Sequence, residues 1–407
     1  MIGRKRRSHR LAKFVLAVAV LAVLAGSAFQ LWPRLGGEGT SDRVEARAAG
    51  ILDRAEQLLK DGKASEAAAL LIPLAESTKD RNLGPKTLLL LARAEQAAGQ
   101  RDLALGHLEK ASKAFPNSPE QPVAAIAYAR LLEEVGRPDE AAAVYASVRD
   151  TAPPDVRAPA TTGLGRLTEK SGDLLKARDL YREAVGEAEW DSAAWSDAVD
   201  ALGRANVAAI FSSDRTPESV VYSVARGDSL TSIGNKLNTT QGLLMRANGL
   251  GENAPLDVGQ QLKYTPKDFR IVIERSRCRL FLLDKDGIFR VYAAGLGMPG
   301  HETTLGSYTL GNKQKDPVWH KPGEPPIPAG DPRNELGTRW MPLIPAKEGL
   351  PTDLGIHGTI APESVGQFSS HGCARLRPAE VEELFDLVVR GTPVEIVEEY
   401  EPQSPES

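Results

Sequence analysis

A cysteine in a glycine-flanked turn, Ser370-His371-Gly372-Cys373, has one histidine two residues before it and another, His357, sixteen before it. Only a few per cent of an ordinary thiol is ionised at neutral pH, so a cysteine that attacks a carbonyl needs a neighbouring imidazole to take its proton. His357 is the expected base: it ends the strand-like Leu354-Gly355-Ile356-His357, and Gly358 behind it frees a backbone carbonyl to orient the ring. His371 is expected in support, either through hydrogen bonds to the turn or in proton transfer itself. Gly372 would let backbone amides of the turn face an acyl oxygen as an oxyanion hole. Arg375 lies two residues past the thiol, on the same side of a strand, where a guanidinium can hold a substrate carboxylate. Ser370 is expected either to hydrogen-bond within the site or to shape the turn. The chemistry is acyl transfer through a thiol, which needs no metal or organic cofactor. A zinc hydrolase using His357, His371 and Cys373 is the rival enzyme class, but no further acidic ligand can be picked out. The other cysteine, Cys278, lies in an apolar strand-like run and reads as core or as a free thiol; two cysteines in 407 residues make no disulfide framework.

These residues must be positioned by a mainly β domain over 268–398. Arg270-Ile271-Val272-Ile273-Glu274 alternates, Arg279 to Leu283 leads to a hairpin turn at Asp286-Gly287, and Phe289 to Gly295 continues the sheet. One helix is expected, from Pro378 to Val389, with Val381, Leu384, Leu387 and Val388 on its apolar face. Prolines at 317, 322, 325, 326, 328 and 332 make 316–332 a long irregular segment, expected to be a lid.

The domain resembles the L,D-transpeptidase family of bacterial peptidoglycan cross-linkers, on His357-Gly358-Thr359, Ser370-His371-Gly372-Cys373 and Ala374-Arg375-Leu376. Thr304 to Tyr308 and Asn334 to Gly337 fall where the family has Thr-Pro-x-Gly-x-Tyr/Phe and Asn-Pro-Leu-Gly, with both prolines missing, and Ala374 replaces a larger aliphatic residue. The resemblance implies that Cys373 attacks the third residue of a tetrapeptide stem, releases the terminal D-amino acid, and is resolved by an amine to give a 3→3 cross-link. It also implies acylation of Cys373 by carbapenems. A water acceptor would make an L,D-carboxypeptidase, and a protein lysine would make an attachment enzyme. The non-enzymatic alternative is a membrane-anchored wall-binding scaffold.

Upstream, residues 219–266 read as strand, helix, helix, strand, with a turn at Gly227-Asp228, a cap at Asp228 or Ser229, and a helix from about Thr240 to Ala247 ended by Asn248-Gly249. Gly227-Asp228-Ser229-Leu230, Asn248-Gly249-Leu250 and Val258-Gly259-Gln260-Gln261-Leu262 resemble the lysin motif (LysM). That resemblance implies a shallow groove for N-acetylglucosamine-containing glycan, formed by Arg226 to Thr231 and Glu252 to Asp257, with Gly227, Asp228, Ser229 and Leu230 as candidate contacts.

From 43 to 213 the chain is helical, and it repeats: Gly62, Gly99, Gly136 and Gly172 are each followed five residues later by alanine and nine later by Leu71, Leu108, Tyr145 or Tyr181. Each unit reads as two helices around a glycine turn, with Pro73, Pro116 and Pro153 near the ends of second helices. The pattern resembles the tetratricopeptide repeat at a longer period. A protein-docking groove and a plain spacer remain the two readings of it. Residues 1–35 carry a basic flank, Arg4 to Lys13, before the uncharged apolar run 14–33, which is expected to be a signal anchor rather than a cleaved signal peptide. Gly36 to Ser41 reads as a linker and 399–407 as a flexible tail. The expected whole is a multidomain, single-pass protein of the cytoplasmic membrane whose later domains meet peptidoglycan in the periplasm or wall space. The formal net charge of -4, with no basic stripe, argues against a nucleic-acid partner.

Overall fold

The computed structural model describes residues 38–77, 83–116, 118–320 and 323–402. The apolar run 14–33 lies outside them, and among the described residues no helix is long and apolar enough to cross a membrane. Contacts divide the chain into two compact units, Met1–Leu167 with Gly186–Trp190, and Thr168–Val185 with Asp191–Ser407.

The helical half runs through α1 (Glu38–Lys60), α2 (Ala64–Ser77), α3 (Leu83–Ala97), α4 (Arg101–Ala114), α5 (Gln121–Glu134), α6 (Pro138–Thr151), α7 (Pro154–Lys170), α8 (Leu174–Glu187) and α9 (Ala193–Phe211). Helix α1 begins inside the segment read as a linker. The repeat glycines make the turns: Gly62, Gly99, Gly136 and Gly172 have φ of 73°, 78°, 79° and 96°, a left-handed conformation that costs a residue without Cβ nothing. Ala67, Ala104, Ala141 and Ala177 are fully buried, as close helix approach requires. Pro116 and Pro153 follow the ends of α4 and α6, whereas Pro73 sits within α2.

A second regularity crosses each later hairpin. Glu95 meets His107 at 2.8 Å, Glu133 accepts from the Tyr145 hydroxyl at 2.7 Å, and Glu169 accepts from the Tyr181 hydroxyl at 2.7 Å. Each carboxylate stands twelve residues before its partner, so an acid at the end of one helix is tied to the helix that follows, and the buried one, Glu95, is thereby satisfied.

The second unit contains α9, which the sequence assigned to the repeats. Its packing explains the difference: Asn206 Nδ2 donates to the Phe289 carbonyl at 3.0 Å, and Arg290 Nη1 meets Asp200 Oδ1 at 2.6 Å. Gly203 leaves the space that the Arg290 side chain crosses.

The LysM-like module has β1 (Val220–Ser223), α10 (Leu230–Leu237), α11 (Gln241–Asn248) and β2 (Gln261–Tyr264), the two strands pairing antiparallel. Ser229 caps α10 in a capping box with Ser232, and Thr240 caps α11 by accepting from Leu243 N–H at 2.9 Å.

The C-terminal region forms a nine-stranded sheet in the order β12-β10-β9-β7-β13-β3-β4-β5, with β8 also paired to β9. Its strands are β3 (Arg270–Glu274), β4 (Arg279–Asp284), β5 (Gly287–Ala293), β7 (Gly306–Leu310), β8 (Gln314–Lys315), β9 (Arg339–Pro345), β10 (Gly355–His357), β12 (Ala374–Arg375) and β13 (Pro393–Val397). The short β6 (Leu296–Gly297) and β11 (Phe368–Ser370) pair with each other. Helix α12 (Pro378–Leu387) buries Val381, Leu384 and Leu387 in a core shared with Ile271, Leu280 and Ile356. Cys278 is buried in the turn before β4, with φ of 50°, and not in a strand. Nor is the start of the tail loose: Tyr400 packs on Phe281 with ring centroids 4.7 Å apart.

Candidate active site

The register across the end of the sheet brings the candidate residues together. Gln314 pairs with Trp340, Trp340 with His357, and His357 with Arg375, which makes one transverse row across β8, β9, β10 and β12. Directly paired residues share a face, and neighbours along a strand alternate. Ile356 and Ala374 are therefore turned to the core, where both are buried, and their strand neighbours His357 and Arg375 are turned to the other side. Cys373 lies one step before the paired residues of β12, beside Gly355, whose backbone amide approaches the sulfur. Cys373 thus stands two residues before Arg375, the partner of His357.

The turn before Cys373 is built by Ser370. Its hydroxyl donates to the Cys373 carbonyl at 2.7 Å and accepts from Gly372 N–H at 3.2 Å. Gly372 has φ of 116°, and a Cβ there would meet Leu354 Cδ2 at 3.1 Å, so the turn requires glycine. The Gly372 amide, expected to line an oxyanion hole, is thus engaged by Ser370. Cys373 N–H has no hydrogen-bond acceptor among the described residues. The sulfur itself lies 3.7 Å from the Asp353 carbonyl oxygen.

His357 is buried, and its Nδ1 lies 2.7 Å from the Gly358 carbonyl. A carbonyl only accepts, so the proton is on Nδ1 and Nε2 is the basic nitrogen. The Trp340 ring lies alongside, its centroid 5.6 Å from that of the imidazole. Trp340 also fills the space over Gly355, where a Cβ would overlap the indole. Sequence reasoning missed Trp340. The alternation of Arg339 to Ile344 marks a strand, but which glycine that strand crosses is set by the sheet.

Burial governs both ionisations. It pushes His357 down to about 4, against the carbonyl of Gly358, which favours the charged ring; Arg375 adds to the depression. It pushes the Cys373 thiol up to about 11, against the Gly355 amide. Both shifts favour the neutral forms, thiol and imidazole.

Arg375 donates from Nη2 to Ser369 Oγ at 2.5 Å, and its Nε is buried without a partner among the described residues. The proline-rich segment is tied down by the buried Asn334, whose Nδ2 donates to the carbonyls of Pro317 at 2.9 Å and Pro328 at 3.2 Å. Trp319 and Ile327 pair within it, and the carbonyls of Glu335 and Leu336 at its end approach the His357 ring. Gly337, with φ of 65°, packs against Gly358 and Thr359.

His371 does not join the thiol. It is exposed and lies edge-on to His301, with ring centroids 5.0 Å apart. The three residues of the zinc alternative therefore do not converge, since His357 Nδ1 is held by Gly358 and His371 turns to His301.

In the LysM-like module the candidate glycan contacts separate. Leu230 is in the core. The Asp228 side chain is a buried clamp, held to about 2 by the Lys236 ammonium first, then by Ala225 N–H and the Tyr222 hydroxyl. Ser229 caps α10. Gly227, with φ of 85°, is the turn and stays open to solvent, so backbone is what this loop can offer there.

A family model described as the L,D-transpeptidase catalytic domain matches residues 268–396, a LysM domain model matches 222–265, and a tetratricopeptide repeat-like model matches 9–201. The chain is 32% identical over 134 residues to the putative L,D-transpeptidase YqjB of Bacillus subtilis strain 168, covering 33% of this chain and 74% of that protein. It is 28% identical over 183 residues to the putative L,D-transpeptidase YkuD of Bacillus licheniformis, covering 44% of this chain and 98% of that one. Among solved structures, the catalytic domain of an E. faecium L,D-transpeptidase is similar at a TM-score of 0.26 and 24% identity, over 32% of this chain and 97% of that one.

Proposed function

Because the chain belongs to the L,D-transpeptidase family, we propose that it transfers the acyl group of a peptidoglycan tetrapeptide stem through a thioester on Cys373 to an amine of a neighbouring stem, forming a 3→3 cross-link. The observation that carries this is the register that pairs His357 with Arg375, two residues past Cys373, with the imidazole proton fixed on Nδ1.

In the first half-reaction Sγ attacks the carbonyl of the third stem residue while His357 Nε2 takes the thiol proton. The oxyanion accepts from Cys373 N–H, the turn amide left without an acceptor among the described residues. Collapse breaks the peptide bond, and the leaving D-amino acid takes the proton from His357. In the second, the acceptor amine attacks the thioester, gives a proton to Nε2, and the thiol leaves protonated. Arg375, in the same row, holds a stem carboxylate. The resting pair is neutral, so no charge has to be buried before substrate arrives.

The LysM module supports peptidoglycan as the polymer that is bound and a cell-wall setting for the enzyme. The apolar run 14–33 behind its basic flank supports a membrane anchor with the catalytic unit on the wall side. Mass spectrometry of tetrapeptide muropeptides incubated with the wild-type chain and with Cys373→Ala tests the reaction. Wild type is expected to give dimers joined through third residues, and Cys373→Ala none. Loss of the terminal residue without dimers would assign water as the acceptor and overturn the cross-linking reading.

A further inference from the structure

We propose that Asp353 selects the donor stem by holding the ammonium on the side chain of its third residue, next to the carbonyl that Cys373 attacks. The inference rests on the acyl-transfer reading and deepens it, because it assigns the residue that reads the donor's charge.

The proposed reaction puts such a cation on the donor. A 3→3 link joins the carbonyl of one third residue to the side-chain amine of another, so stems that serve as both donor and acceptor carry that amine. An alkylamine is protonated at neutral pH. A positive charge therefore arrives with the carbonyl, one side chain away from the sulfur.

Asp353 is placed to meet it. Its carbonyl oxygen lies 3.7 Å from Cys373 Sγ, so the carboxylate of the same residue is within a side chain's reach of the reacting atom. The residue is exposed, and its carboxylate has no hydrogen bond or ion pair among the described residues. Burial is the larger cause of the raised thiol, and the Asp353 charge adds to it. By itself, then, this carboxylate opposes loss of the thiol proton. An ammonium bound to it cancels that opposition as the donor arrives.

The direction of the strands points to the donor and not to the acceptor. β10 and β12 run parallel, so His357 and Arg375 lie past the thiol along the chain and Asp353 lies before it. In the proposed reaction the leaving amine takes its proton from His357 and the acceptor amine gives its proton to His357. Both amines therefore pass on the His357 side. Asp353, at the other end, is left to the part of the donor that stays on the sulfur.

The test uses the full-length chain, in excess over two tetrapeptide donors that differ only in the third residue, whose side-chain amine is free in one and acetylated in the other. Release of the terminal D-amino acid is followed for each. Wild type is expected to favour the free amine in kcat/KM by about five- to tenfold, the strength of one partly exposed charge-assisted contact, and by less at high salt. Asp353→Asn should abolish that preference, and Asp353→Glu should keep it. The ratio between donors does not depend on how much of a variant is folded, and Asp353→Ser takes the place of Asp353→Asn if the latter gives no folded protein. Equal release from both donors by wild type, or an undiminished preference in Asp353→Asn, overturns the inference. So does an Asp353→Asn chain that keeps the preference but forms fewer dimers when acceptor is added, which would move Asp353 to the acceptor. No release from either donor by wild type overturns the acyl-transfer reading itself.

Discussion

His357 and Arg375 stand opposite each other on two parallel strands, and Cys373 lies two residues before Arg375 in the turn that leads into its strand. Parallel neighbours need a crossover, and here it is the segment from Gly358 to Cys373, which carries the Ser370 turn. The candidate nucleophile and base are thus tied to one register. A slip of one residue by β12 against β10 would turn Arg375 from the face of His357 into the core.

The two pKa values fix the sign of the pH response. His357 is neutral above about 4 and Cys373 is protonated below about 11, so the reactive pair persists between them. Attack assisted by a general base needs the neutral imidazole, and kcat/KM should stay level from about pH 6 to 8 and fall only as pH drops toward 4. A pH profile of tetrapeptide turnover checks this. A half-point near the ordinary histidine value would contradict it.

Gly355 and Trp340 occupy one space. Gly355→Ala is expected to lower stability by about 1 to 3 kcal/mol through overpacking and to reduce kcat by displacing the ring beside His357. Urea unfolding of Gly355→Ala and of Gly355→Ala with Trp340→Ala measures it; the second change should recover part of the loss. Additive losses would show that the two residues do not compete.

Ser370→Ala removes both hydrogen bonds that shape the nucleophile turn. About 1 to 3 kcal/mol of stability should go with the Cys373 carbonyl and Gly372 amide left unpaired. A merely local role in folding would leave kcat/KM unchanged at a temperature where the variant is folded, whereas the turn's part in aiming Sγ predicts a fall. Steady-state kinetics below the melting transition separates the two.

Much of this was legible in the sequence because it is short-range. The turn at Cys373, the carbonyl of Gly358 beside His357, the caps of the LysM helices and the repeat glycines each depend on residues within a few positions. What the sequence left hidden depends on register between distant strands or on packing between modules. Trp340 reaches Gly355 only because β9 pairs with β10, and α9 joins the catalytic unit through Asn206 and Arg290. His371 looked like a second base from its position beside the thiol, but the turn at Gly372 sends it outward to His301. The same turn occupies the Gly372 amide with Ser370 and leaves Cys373 N–H without an acceptor among the described residues.

The central claim is that the stem is carried on Cys373 sulfur, with His357 moving the proton. Intact-protein mass spectrometry of the full chain, quenched in acid during turnover of a tetrapeptide donor, tests it most directly. The account predicts a mass increase equal to the stem less its terminal D-amino acid, mapped to Cys373, and a slowed build-up of that adduct in His357→Gln. Turnover with no adduct on Cys373, or undiminished turnover by Cys373→Ala, would contradict it.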